Sequence, residues 1–187
     1  MSHGAIYAQL NLAQNMMCLQ SALNPQPSKL PSPLLQQCRA TQRTVTSAGG
    51  NSLRSALIPT WEDLAKIVTT ARNQAQVLQD NQAQAYALGC LGAVYQQIGD
   101  IPNAQRLTEQ ALQLASSFDA PHIAYRWQWQ LGRLRRIQEN QQGAISAYTT
   151  AFETEIAETR KLRTLHYKSY PRAIRKQRKT TNSSSQR

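Results

Sequence analysis

The chain has 187 residues, 41% of them hydrophobic and 17% charged, and a formal net charge of +11. That length fits one domain with tails, and no run approaches the roughly 18 apolar residues of a membrane span. The start, MSHGAIYAQLNLAQ, has no basic leader followed by an apolar stretch, so it does not read as an export signal and a cytoplasmic protein is expected.

Helical periodicity governs the chain, and no alternating strand pattern of useful length appears. A first helix is expected from Ala5 to about Ser21, with Leu10, Ala13, Met17 and Leu19 near one side. Pro25, Pro27, Pro31 and Pro33 then break the chain, and Gly49, Gly50 and Pro59 break it again. Residues 24–59 therefore read as an insertion, partly disordered, within which SPLLQQCRATQRTV could form a short helix. From Thr60 the pattern firms. Thr60 can cap WEDLAKIVTTARNQAQVL, with Glu62 and Asp63 in the first turn, where the helix dipole favours acid. Four helices follow, at about 82–98, 102–117, 121–138 and 141–158, the last reaching to about Leu165 before Pro171. Gly99 and Asp100 separate the first pair, and Asp119 and Pro121 open the next. Pro102 falls in a first turn, where no amide partner is missed.

An outline repeats 40 residues apart. Leu91 and Gly92 become Leu131 and Gly132, Ala104 becomes Ala144, and Ala111 becomes Ala151. Small residues at such offsets let two antiparallel helices approach closely, while Leu91 and Leu131 fill the space beside the contact. A unit of this kind cannot bury its face alone and stacks on neighbours.

Leu88, Leu91, Gly92, Tyr95, Ala104, Thr108 and Ala111 follow the W-x2-L-G-x2-Y…A…F…A outline, and the chain resembles the tetratricopeptide family. Leu131, Gly132, Ala144, Tyr148 and Ala151 supply the second unit, with Arg135 where Tyr95 stands. That family's usual period is about 34 residues, so 40 implies longer helices or turns. Residues 60–152, with YALGCLGAVYQQIGDIPNAQRLTEQALQLA, APHIAYRWQWQLGRL and GAISAYTTA, are also similar to the repeats preceding the CHAT domain of large bacterial proteins. Weaker echoes lie in AIYAQLNLAQNM. The CHAT domain is a caspase-like peptidase with a His and Cys pair, and no position here matches its catalytic motifs. The resemblance implies a stand-alone or truncated copy of the repeat portion. The expected fold is all-α, a right-handed stack of antiparallel hairpins. Its parts are 1–23 (helix of a degenerate repeat), 24–59 (insertion), 60–158 (repeats) and 159–187 (disordered basic tail).

No catalytic constellation stands out. Cys18, Cys38 and Cys90 show no C-x-x-C spacing, so neither a disulfide framework nor a zinc site is expected. Cys90 falls mid-helix, and His3, His122 and His166 are not placed beside a cysteine. The reading is non-enzymatic, with no cofactor and no metal.

Candidate binding residues lie in AYRWQWQLGRLRR. Arg126, Trp129, Arg133 and Arg136 recur at spacings of three, four and three and share a face, whereas Trp127, Leu131 and Leu134 share another and enter the core. In the tetratricopeptide arrangement the first helix of each pair lines the concave surface. The resemblance therefore puts those four residues on an inner wall with Gln96 and Ala93, suited to an acidic or aromatic-bearing peptide. The alternative is a solvated charged face with a tryptophan packed on its neighbour.

Residues 159–187 hold ten Lys/Arg and no acid, whereas 1–158 hold eleven against ten. The tail interleaves Tyr167 and Tyr170 with bases, a pattern that attracts phosphate backbones or anionic lipid surfaces. The favoured reading is blander: a Ser/Thr/Asn-rich basic terminus without structure, added by a shifted reading frame. The expected function is a protein-interaction scaffold that also self-associates through its repeat ends and binds nucleic acid only weakly and non-specifically. The rivals are an electrostatic nucleic-acid or membrane-surface binder and the sensor part of a CHAT peptidase system.

Overall fold

In the computed structural model the described residues are 2–23 and 59–169. They form six α-helices: α1 (His3–Leu23), α2 (Trp61–Val77), α3 (Asn81–Ile98), α4 (Ile101–Ser117), α5 (Pro121–Ile137) and α6 (Gln141–Ser169). Each helix packs on the next as adjacent antiparallel pairs, and α3 also touches α1 and α5. The fold is all-α and compatible with a helical repeat. The insertion lies outside the described residues except for Pro59, and the tail from Tyr170 onward lies outside them as well.

The regularity comes from the turns. Helices α2, α4 and α6 begin at 61, 101 and 141, and α3 and α5 begin at 81 and 121. Gln79, Gly99, Asp119 and Glu139 all take positive φ, at 53°, 96°, 51° and 62°. The next amide then bonds five residues back: Asp80 to Ala75, Asp100 to Tyr95, Ala120 to Ala115 and Asn140 to Arg135, at 2.9–3.0 Å. This closure satisfies carbonyls left over at a helix C-terminus. The following residue starts the next helix at once. Thr60, Asp80, Asp100 and Asn140 each accept an amide three residues on with a side-chain oxygen, whereas Ala120 offers no such bond. A turn every 20 residues, with helices of 17 or 18, accounts for the 40-residue period.

The same period marks the packing. Leu64, Val68, Ala71 and Ala75 on α2 are buried, as are Ala104, Thr108, Ala111 and Ala115 on α4, and Ala144 and Ala151 on α6. Buried positions thus recur at the 40-residue offset on α2 as well, within the 60–158 span. Ile6, Leu10, Ala13 and Met17 form the buried side of α1, and Leu19 is half-buried. Trp127, Leu131 and Leu134 are buried as expected.

Close helix approach falls where glycine stands. A Cβ on Gly92 would lie 2.5 Å from Thr108 Oγ1 and 3.0 Å from the Ala104 carbonyl, and one on Gly132 would lie 2.6 Å from the Tyr148 ring. Arg135 causes no disruption: it donates to the Gly143 carbonyl at 3.1 Å and so holds the start of α6. Two expectations change. The final helix runs on to Ser169, and Cys18 is disulfide-bonded while Cys90 is a free thiol. Sequence spacing misses such a bond because a disulfide needs proximity in space.

Candidate functional site

Three alternate helices meet around a cleft of about 360 Å³. Helix α1 supplies Tyr7, Asn11 and Gln14, at spacings of four and three, so one face of the helix points there. Helix α3 supplies Gln82 and Tyr86, and α5 supplies His122, Tyr125 and Arg126. Leu10 and Ile123, both buried, make the apolar floor. Gln82 and His122 occupy the same place in successive repeats, and so do Tyr86 and Arg126.

The walls are tied together by side chains. The Gln82 amide nitrogen lies 3.2 Å from His122 Nε2, and the Tyr86 hydroxyl donates to Gln14 Oε1. At the α1 end, Asp80 serves three partners. It accepts the Ala83 amide at 2.9 Å as the α3 cap, faces His3 Nδ1 at 2.7 Å, and accepts the Tyr7 hydroxyl at 3.3 Å. Burial works to raise the Asp80 carboxyl, but the Ala83 amide, His3 and Tyr7 together bring it below its ordinary value. Burial pushes the Tyr7 phenol up, and the Asp80 charge adds to this. The Tyr86 phenol is also pushed up by burial, and the Arg126 guanidinium beside it works the other way.

Among the described residues Arg126 is the only Lys or Arg lining this cleft, and no carboxylate of those residues forms an ion pair with it. Its guanidinium lies 5.9 Å from the Tyr125 ring centroid. Behind it, the Tyr86 ring is tilted against Trp127 at 5.7 Å. The cleft can therefore hydrogen-bond backbone amides, stack against an apolar or aromatic group, and attract one negative charge.

Of the residues expected on the inner wall, only Arg126 lines the cleft. Gln96 and Arg133 are 2% and 5% exposed, so neither offers an accessible group. Burial lowers the Arg133 pKa, Tyr148 opposes this, and Arg136 adds to it. Trp129 is tilted against Tyr148 of α6, with ring centroids 4.9 Å apart, and Arg136 is exposed. The four residues share a helix face, but a helix inside a stack is covered on more than one side, and that covering divides the face. Tyr7, Asn11, Gln14, Gln82, Tyr86, His122 and Tyr125 escaped the sequence reading. The signal for part of the set was the 40-residue offset itself, applied to polar positions rather than to small ones.

Cys90 is fully buried, and burial pushes its thiol up to about 12, with Arg126 working against the shift. It is held as a thiol, unsuited to nucleophilic attack at neutral pH. Among the described residues no group of three or more His, Cys, Asp or Glu could hold a metal ion, and no helix is long and apolar enough to cross a membrane. Compared with protein-family models, with curated proteins and with solved structures, the chain gives no match.

Proposed function

We propose that the chain is a non-enzymatic protein-interaction scaffold of tetratricopeptide type. In this reading three hairpins form a right-handed stack, and a peptide of a partner protein lies in the cleft across α1, α3 and α5. The observation that carries it is the make-up of that cleft: hydrogen-bonding and aromatic side chains from three alternate helices around Arg126, whose charge no carboxylate of the described residues offsets. The recurrence of buried small residues through α2, α4 and α6 supports the repeat architecture. Kinship with the repeats that accompany CHAT peptidase domains belongs to the same proposal.

The test is peptide display against the full chain, followed by fluorescence anisotropy with a selected peptide. Selected peptides should carry an acidic residue, and Arg126→Glu combined with Tyr125→Ala should weaken binding at least about tenfold with the circular dichroism spectrum unchanged. Deleting residues 159–187 should leave peptide binding standing. Peptides that bind the double variant as well as the parent would overturn the cleft reading.

One observation speaks for a second reading. Arg160, Lys161 and Arg163 are exposed at the far end of α6, where the basic tail begins. We propose that any nucleic-acid binding resides there, and that it is weak, indifferent to base sequence and steeply salt-dependent, because each phosphate contact releases a counterion. Tight, salt-resistant, sequence-selective binding would displace the scaffold reading.

A further inference from the structure

We infer that the free edge of α6 is a homodimer seam, on which a second copy of the chain lays its own α6 antiparallel to the first. The inference is independent of what occupies the cleft.

The edge in question has an internal counterpart. On α4, α5 reaches Gln105 and Thr108, and Leu112 lies seven residues beyond Gln105 on the same side of the helix. Gln105 Oε1 accepts the Gln138 amide at 2.8 Å, Thr108 Oγ1 accepts the Gln130 amide at 2.9 Å, and Leu112 packs against the core. Forty residues on, the positions of Gln105 and Leu112 are held by Ile145 and Phe152, which are 60% and 58% exposed. Among the described residues no helix follows α6 to cover them. The uncovered edge is thus more apolar than the covered one it repeats, because isoleucine stands where the internal strip carries glutamine. Two large apolar side chains exposed along one helix edge are candidates for a contact with another chain.

What covers the edge is indicated by the rest of α6. The helix has 29 residues against 17 for α4, so it is about 44 Å long rather than about 26 Å. Its charges are separated along that length. Glu153, Glu155 and Glu158 come first, with no base before them in the helix, and Arg160, Lys161 and Arg163 follow, with no acid after them. Ile145, Phe152 and Ile156, at spacings of seven and four, share one face, while Glu153 and Arg160, seven apart, share its flank. Reversing a second α6 about a two-fold axis near Ile156 sets apolar face against apolar face. It also places Glu153 of each copy opposite Arg160 of the other. A parallel pairing would set acid on acid and base on base. The complement this edge requires is the same edge reversed, which is the definition of an isologous interface.

Sedimentation equilibrium of the full chain should show a dimer. Phe152→Glu should give a monomer with unchanged helical content, since the residue is 58% exposed and the fold does not depend on it. Arg160→Glu alone should raise the dissociation constant at least about tenfold by setting acid against acid in both symmetry-related pairs, and adding Glu153→Arg should restore it to within about threefold of the parent. A parent that stays monomeric across a wide concentration range would overturn the inference. So would a dimer that persists in Phe152→Glu, open-ended association, or a charge exchange that restores nothing.

Discussion

Forty residues separate Tyr86 from Arg126, Gly89 from Trp129, Ala93 from Arg133, Gly99 from Glu139 and Thr108 from Tyr148, and each pair sits at the same place in the α3–α4 and α5–α6 hairpins. The backbone plan of the two hairpins is shared, down to the positive φ of the linking turn. The side chains are not. The first hairpin is built from small residues on α3, and this makes it a receiver. Ring carbons of Trp127 lie 2.2–2.4 Å from where a Cβ on Gly89 would stand, and Gln130 reaches the Gly89 carbonyl at 3.3 Å. The second hairpin carries bulk and charge at the matching places, and beyond it α6 leaves Ile145 and Phe152 uncovered. Turn chemistry fixes how the hairpins are drawn, while side-chain size decides which of them accepts a neighbour.

The largest expected effect breaks the receiver. Gly89→Leu forces bulk against a fully buried indole and should cost about 3 kcal/mol or more. Gly132→Leu, in the twin hairpin, meets the half-buried ring of Tyr148, which can turn aside at the expense of its contact with Trp129. That variant should cost about 1–2 kcal/mol. Thermal melts followed by circular dichroism compare the two, and equal losses would show that the hairpins are not divided in this way.

Next in size is the cap. Asp80 starts α3, and its twin Ala120 starts α5 with no side-chain bond. Asp80→Ala should cost about 1–2 kcal/mol, and more than Asp100→Ala, because only Asp80 also ties down α1 through His3 and Tyr7. The folded Asp80 carboxyl titrates below its ordinary 3.8. Its contribution is therefore complete above about pH 4 and fades as pH falls through the lower folded value. Urea titrations of parent and variant should converge on acidification below that point, and a gap that widens there would contradict the sign.

The smallest effect concerns the turns. Gly99 takes its positive φ at no steric cost, whereas Glu139 takes the same conformation with a Cβ. Glu139→Gly should stabilise by about 0.5–1 kcal/mol and Gly99→Glu should destabilise by about 1 kcal/mol. A shift in urea midpoint without a change in slope would establish both. If Glu139→Gly destabilises instead, the two turns are not equivalent.

Much of the fold was legible because its causes are local. Thr60 declared a helix start by the hydroxyl it offers to Asp63, Gly99 declared an end by the backbone it allows, and the Leu-Gly pairs set the period. The site was less legible. Arg126 lines the cleft, whereas Arg133 and Gln96, which the pattern groups with it, are buried. Gly89 was passed over because its reason is an indole 38 positions away, and Tyr7 because its partner is Asp80.

By itself, then, the sequence determined an all-α chain with a 40-residue offset and local start and stop signals such as Thr60 and Gly99. Tertiary structure alone decided that α1 closes against α2 across the long insertion. It also decided that Tyr7, Tyr86 and Arg126 meet around one cleft, and that an arginine on a polar helix face is buried while an isoleucine and a phenylalanine stand in solvent. The reason is geometric. Helical spacing tells which side chains point the same way, but the burial of that direction depends on which neighbour lies opposite, and in a stack each helix meets several.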